Sequence, residues 1–281
     1  MKTYPFSPLL GANLCLSDNK RVNAFGKAIK ETVTEGDVVL DVGTGTGILA
    51  LQAVKHGAKK VSAVELDEYL SNRVREIARR NKVGSKIEVI NRDILDIDSI
   101  AERIDVVLME MLTTGLIEEA QIPAYNHLVE NGIITSSTKI IPASYETYAV
   151  PLEYDFREYG FDMPRAKHTT GEGLIRKLSD KKHVSTVDFD GERKNPCVKK
   201  SIEYLMKHDG NFNAIGLTSV ARLSNGVSLG ESTWINNSVV VPIDRNLDVR
   251  QGDKVRLNVD YVMGNGFAKF YAEATQNKSQ N

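Results

Sequence analysis

Three glycines at alternate positions, Gly43, Gly45 and Gly47, stand between the apolar run Val38-Val39-Leu40-Asp41-Val42 and the helix-forming run that opens at Ile48. Glycine lets a backbone turn sharply and lie flat against a ligand, so this strand-to-helix turn suits close approach by a small molecule. A dinucleotide turn, Gly-x-Gly-x-x-Gly, needs glycine at its sixth position to admit a pyrophosphate beside the helix start. Here that position is Ile48, which disfavours nicotinamide chemistry. Carboxylates follow the same geography: Asp41 lies two residues before the glycines, Glu65 closes Ala63-Val64-Glu65, and Asp93 stands in Asn91-Arg92-Asp93-Ile94. At strand ends they can accept charge-assisted hydrogen bonds from ligand hydroxyl or amino groups.

The elements that would place these groups are readable from periodicity. From Asp37 to about Ser137, short β-branched runs alternate with helical patterns, the mark of a parallel sheet wrapped by helices. Strands are expected at 38–42, 60–65, 86–91, 104–109 and 132–137, and helices over Ile48 to Lys55, Tyr69 to Asn81 and Ile117 to Glu130. Asp41, the glycines, Glu65 and Asp93 then all fall at C-terminal ends of successive strands, the crevice where open α/β sheets bind ligands. Beyond Pro142 the pattern becomes short and alternating, as in Tyr145 to Val150, Ser238 to Val241 and Lys254 to Val259, which predicts antiparallel β structure. The expected organisation is a Rossmann-like α/β unit over residues 1–141 and a β-rich, barrel-like unit over 142–281. A polar stretch at about 156–207 reads as an insertion with structure of its own, and the tail after Thr275 as frayed.

Composition narrows the class of partner. Across 281 residues the formal net charge is -1, and neither half is polybasic, which argues against nucleic acid or an anionic membrane as partner. Two distant cysteines, Cys15 and Cys197, offer neither a zinc cluster nor a disulfide framework. With no apolar leader and no run of spanning length, the expectation is a cytoplasmic protein.

Gly-x-Gly-x-Gly with an acid two places before it resembles the first motif of class I S-adenosylmethionine-dependent methyltransferases. That resemblance implies S-adenosyl-L-methionine as cofactor, its amino-acid end and ribose lying over Gly43, Gly45 and Gly47. Glu65 would then hold the ribose hydroxyls, and Asp93 would accept from the adenine amino group while Ile94 packs the ring. Further strings resemble one branch of the class, the protein arginine methyltransferases, over about Leu14 to Ala274. Asp18-Asn19-Lys20-Arg21 is similar to an Asp-x-x-Arg element whose arginine binds the cofactor carboxylate, which assigns that role to Arg21. Met109-Glu110-Met111-Leu112-Thr113-Thr114-Gly115-Leu116-Ile117-Glu118-Glu119 resembles the family's double-glutamate loop, with Glu110 and Glu119 as the pair and Glu118 as a solvated neighbour. Glu158-Tyr159-Gly160-Phe161-Asp162-Met163 resembles the start of the dimerisation arm and implies a homodimer. Glu231-Ser232-Thr233-Trp234 falls where a Thr-His-Trp loop is expected.

The chemistry implied for Glu110 and Glu119 follows from the acceptor. A guanidinium stays protonated in water, so its methylation needs one nitrogen made nucleophilic and aimed at the sulfonium methyl. Two converging carboxylates can grip the planar fork, draw positive charge to the distal nitrogens and fix the line of attack. No metal is required. Several positions depart from the family. Met111 replaces a tryptophan, Thr113-Thr114 a glycine-aromatic pair, and Thr233 the histidine. Leu95 stands where a glutamate is common, which leaves the adenine contact to Asp93. Tyr4-Pro5-Phe6 only loosely matches the aromatic helix that closes over the cofactor. These departures keep three readings in play: methylation of a protein arginine or similar cationic nitrogen; methylation of a small molecule or a non-arginine peptide; and a non-catalytic dimeric interaction protein.

Overall fold

Alternating β-branched and helical runs build the first half of the chain as expected, in a computed structural model that describes residues 8–169 and 175–276. Strands β1 (Val38–Val42), β2 (Lys60–Glu65), β3 (Ile87–Asn91), β4 (Val106–Met109) and β5 (Lys139–Ile141) form a parallel sheet in the order β3-β2-β1-β4-β5. The order reverses between β1 and β4, and the register pairs Val42 with both Val64 and Met109. Gly43, Glu65 and Glu110 therefore leave the sheet side by side, at the topological switch point where such sheets hold ligands. Helices α1 (Pro8–Ser17), α2 (Asn19–Thr32), α3 (Ile48–Lys55), α4 (Glu68–Arg80) and α5 (Gln121–Glu130) accompany it.

Two expectations are corrected here. Residues 132–137 form no strand, because Gly132 takes a left-handed conformation (φ 68°) and ends α5, with the N–H groups of Ile133 and Ile134 both bonded to the Leu128 carbonyl. The fifth strand comes later, and Lys139 pairs with Val106. Helix α5 begins at Gln121 rather than Ile117, since Gly115 (φ 72°) and Leu116 (φ 55°) turn the chain left-handed just before. The α1–α2 pair was not anticipated by periodicity, although α2 carries a clear start signal. Asp18 caps it by accepting from the Arg21 N–H at 3.0 Å, and Phe25, Ala28 and Ile29 form its buried stripe. Tyr4-Pro5-Phe6 and the tail beyond Gln276 lie outside the described residues.

The second half is antiparallel. Its strands are β6 (Ser144–Tyr154), β7 (Arg157–Glu158), β8 (Phe161–Asp162), β9 (Lys167–His168), β10 (Ile175–Lys177), β11 (Lys182–Asp188), β12 (Cys197–Leu205), β13 (Gly210–Ser224), β14 (Val227–Leu229), β15 (Val239–Val249), β16 (Lys254–Val262) and β17 (Tyr271–Gln276). A seven-stranded sheet follows the path β10-β6-β13-β15-β9, with β11 on β6 and β14 on β13; a second sheet runs β12-β16-β17, and β7-β8 form a small hairpin. Strand β16 shows why: Val255, Leu257, Val259 and Tyr261 alternate inward, all nearly fully buried, at about 1.5–3 kcal/mol for each large apolar side chain. The stretch 156–207 supplies the hairpin and also strands of both sheets.

The core is continuous between the halves, and the segment joining them is the loop after β4. Ile117, Tyr125, Tyr145 and Tyr261 belong to one buried cluster with Val39 and Leu108. Several of the loop's backbone groups are bonded by the β-rich half. Ser219 Oγ accepts from the Gly115 N–H at 3.0 Å, and the N–H groups of Gly264 and Gly266 donate to the Leu116 and Ile117 carbonyls at 2.8 Å each. Thr114 Oγ1 donates to the Asn237 carbonyl at 2.8 Å. The buried Tyr145 hydroxyl lies between the Thr113 carbonyl, at 2.8 Å, and the Asn236 side-chain carbonyl. Tyr145→Phe leaves those acceptors without their buried donor, with an expected cost of about 1–3 kcal/mol. A lower midpoint in urea unfolding at unchanged slope checks it.

Candidate active site

The glycine turn is braced from beneath. Asp41 accepts from the Thr44 hydroxyl at 2.6 Å and from the Ala50 N–H, both within the turn and the helix it opens. Burial pushes its carboxyl up to about 6, against those two bonds. Gly43, Gly45 and Gly47 all have positive φ (71°, 56° and 79°). At Gly47 a Cβ would lie 2.9 Å from Val74, so this glycine is required for the helix to pack. At Gly45 a Cβ would make only ordinary contacts, the nearest side-chain atom being that of Ala12 at 3.8 Å.

Glu65 is nearly buried and faces the turn. One carboxylate oxygen accepts from the Gly45 N–H at 2.8 Å and the other from the Asp67 N–H at 2.9 Å. Each oxygen keeps a further lone pair. Burial raises its pKa over the opposing pull of those N–H groups. Asp93 lies two residues past β3 and caps a single 3-10 turn, Ile94–Asp96, by accepting from the Leu95 N–H at 3.1 Å; Ile94 is buried.

Across the switch point, Arg21 Nη2 donates to Glu110 Oε2. Both side chains are more than nine-tenths buried, and Arg21 Nη1 also donates to the Cys15 carbonyl at 3.0 Å. Burial pushes Glu110 upward from its ordinary value while Arg21 pulls it back; burial works against the charge on Arg21, which Glu110 restores and raises. The direct contact offsets part of the burial penalty on Glu110 and favours the charged form of Arg21. Arg21 Nε is buried and has no partner.

Glu119, in the second limb of the loop, feels Glu110. Burial first, then the charges of Glu110 and Glu118, push it up to about 8, although the residue is exposed to solvent. Glu118, expected to be solvated only, is corrected: its Oε2 lies 2.7 Å from His168 Nε2. Thr233 lies in a loop tied to the start of α2, where Asp18 Oδ2 accepts from the Trp234 N–H at 3.1 Å and Lys20 Nζ donates to the Glu231 carbonyl at 2.5 Å.

Two residues of this neighbourhood escaped sequence reading. Gln121 is fully buried and straddles Glu110, its Oε1 accepting from the Met111 N–H and its Nε2 donating to the Met109 carbonyl, both at 3.1 Å. A glutamine in an otherwise apolar helix start was the available signal. His168 arrives from 50 residues away with no local signal at all.

Comparisons with known proteins fit this geometry. Residues 25–150 match the family model of ribosomal protein L11 methyltransferase (PrmA). An uncharacterized protein of Methanocaldococcus jannaschii is 31% identical over 250 residues, covering 89% of this chain and 90% of that one. Mouse protein arginine N-methyltransferase 9 is 33% identical over 155 residues, 50% of this chain but 18% of its own length. Among solved structures, the Trypanosoma brucei PRMT1 enzyme-prozyme heterotetrameric complex with AdoHcy superposes with a TM-score of 0.74 at 18% identity, covering 94% of this chain and 96% of that one. The chain is similar to the class I S-adenosylmethionine-dependent methyltransferases and, among them, resembles the protein arginine methyltransferases. These matches make it a methyltransferase.

Glu119 also sets a pH dependence of stability. Its native pKa is raised above its unfolded value, so the native state keeps a proton that the unfolded chain releases. Its contribution is full below about 4.5 and is lost as pH rises towards 8. Glu119→Gln removes this dependence, so the mutant gains stability relative to wild type between pH 5 and pH 8. Denaturant midpoints at the two pH values check it.

Proposed function

We propose that this chain methylates a cationic nitrogen, peptidyl arginine foremost, held between Glu110 and Glu119. The observation that carries the reading is the meeting of Gly43, Glu65 and the Arg21–Glu110 pair at the switch point, with Glu119 within the electrostatic reach of Glu110.

The residues present suit the cofactor. Arg21 has a buried, unpartnered Nε–H and can therefore take a ligand carboxylate without releasing Glu110. Glu65 has a lone pair on each oxygen for a pair of ribose hydroxyls, and the absence of a side chain at Gly45 lets a ligand lie against the backbone. Asp93 and Ile94 stand at the next strand end, where the adenine would sit. Asp41 contributes by holding the turn rather than by touching the ligand. When bound, S-adenosylmethionine supplies a methyl group already activated by its sulfonium.

The work left for the protein is to seat and polarise the acceptor. Glu110 is fixed by Arg21 on one side and by the Gln121 amide on its flanking peptides, so its free lone pairs point in a set direction. Glu119 holds its proton more tightly than an ordinary carboxyl. An arriving guanidinium supplies a positive charge that offsets the burial of the Glu119 carboxylate, so Glu119 releases that proton to solvent and grips the fork. The two carboxylates draw charge to the bound nitrogens and leave the remaining one more nucleophilic. A cationic small molecule is the second reading, favoured by Met111, Thr113 and Thr114 in place of aromatic channel walls.

We also infer a homodimer. Tyr159 and Phe161, at the tip of the β7–β8 hairpin, are 95% and 69% exposed, an apolar surface that a second copy would cover. Among the described residues no helix is long and apolar enough to cross a membrane.

Two outcomes are expected. Glu110→Gln and Glu119→Gln each lower kcat/KM for an arginine-glycine peptide by about a hundredfold or more, while calorimetry shows S-adenosylhomocysteine still bound. Transfer that survives both changes sinks the clamp. The double change Tyr159→Ser, Phe161→Ser converts the dimer to a monomer in light scattering at micromolar concentration, and a wild-type chain that is already monomeric removes the dimer inference.

A further inference from the structure

The second glutamate of the loop is adjacent to an ion pair that spans the two halves of the molecule. His168 lies on β9, at the rim of the seven-stranded sheet, where its backbone pairs with Val239 of β15. The Thr169 N–H extends this anchor by donating to the Ser238 carbonyl at 2.8 Å. From that fixed strand the imidazole reaches Glu118, with Nε2 and Oε2 2.7 Å apart. Glu118 is in turn fixed at its own backbone, because its N–H donates to Thr113 Oγ1 at 3.1 Å. Beyond Glu119, the chain enters α5 at Gln121. The turn that bears Glu119 thus hangs between a glutamine clamp on one side and a histidine contact on the other.

We propose that His168 is a positioning residue for Glu119, acting through Glu118 to hold the second carboxyl of the loop in place and to lighten the negative charge beside it. This rests on the reading of Glu119 as an acceptor ligand. Both effects have a physical basis. A charge-assisted contact between a strand and a loop fixes the direction of the residue next to it. A protonated imidazole also offsets the Glu118 charge, one of the charges that make Glu119 hold its proton.

Besides Glu118, the imidazole meets the backbone of Asn237, while the neighbouring charges are engaged elsewhere. Lys167, next along β9, is taken by Glu158 of β7 at 2.7 Å, and Arg165 by the same carboxylate at 2.8 Å. Glu231, from the loop before β15, is engaged by the Ser238 N–H and hydroxyl, both at 3.3 Å. Glu118 is the carboxylate in contact with the imidazole, and its bond raises the His168 pKa against the opposing pull of burial. His168 is therefore charged over a wider pH range than a free histidine.

The test reads Glu119 itself and needs no acceptor. Carbon-13 NMR of glutamate-labelled protein follows the Glu119 carboxyl, assigned by its loss in Glu119→Gln, in wild type and in His168→Ala, His168→Gln and Glu118→Gln. Removing the imidazole charge is expected to raise the Glu119 midpoint by about half a pH unit, a threefold tighter hold on the proton, in both His168 variants. Glu118→Gln removes a negative charge and is expected to shift it the opposite way. A loss of packing alone gives no such reversal of sign. Alongside, KM for an arginine-glycine peptide is expected to rise about fivefold or more in His168→Ala and to recover in part in His168→Gln, whose amide can still donate to Glu118, with S-adenosylhomocysteine affinity unchanged. An unmoved Glu119 midpoint in both His168 variants overturns the proposal. A wild-type protein that ignores the peptide while the midpoints shift as expected instead overturns the arginine reading and leaves the coupling of His168 to Glu119 standing.

Discussion

Arg21 and Glu110 share a nearly dry pocket where the parallel sheet reverses its strand order, and much of the site is arranged around that contact. Burying either charge alone would be costly, and each is tolerable only because the other is there. Arg21 is delivered by α2, whose first turn is fixed by Asp18; Glu110 is delivered by β4, whose register against β1 puts it beside the glycine turn. The ion pair therefore ties a helix that precedes the sheet to the sheet's own rim. Asp18 carries the tie further, since its second oxygen holds the Trp234 N–H of the β-rich half.

The loop after β4 shows how such a site is kept rigid without regular secondary structure. Residues 110–120 make few backbone bonds among themselves. Their polar groups are met by Ser219, Asn237, Tyr145, Gly264 and Gly266 across the junction and by Gln121 from the helix that follows. Satisfying buried backbone groups from outside the segment fixes its course as firmly as a strand ladder would. The left-handed residues Gly115 and Leu116 are stable in that setting because their neighbours leave no other path.

How far the sequence disclosed all this depended on how local each cause was. Val38 to Val42 and Lys60 to Glu65 are dense in β-branched and apolar residues, and both strands were legible to the residue. The glycine turn was legible for the same reason, each of its constraints lying within a few positions. The isoleucines at 133 and 134 misled because their spacing suits a strand; what overrode it was Gly132 and the helix end it makes. Glu118 looked like a surface acid because nothing near it in the chain could bind it, and its partner came from a distant strand. Gln121 was visible as a type but not as a clamp, since its value depends on the two peptides that flank Glu110. The parts of the site that sequence left dark are those made by contacts between the halves.

That dependence has an evolutionary reach. A gene in which the region after Pro142 was exchanged for an unrelated β-rich module would still encode the glycine turn and the Glu65 contacts that brace it. The carbonyls and amides of residues 113–117 would face strangers, though, and the acidic limb would lose its shape. The two halves are thereby interdependent, and a change at Ser219 or Gly264 reaches the loop as directly as a change within it.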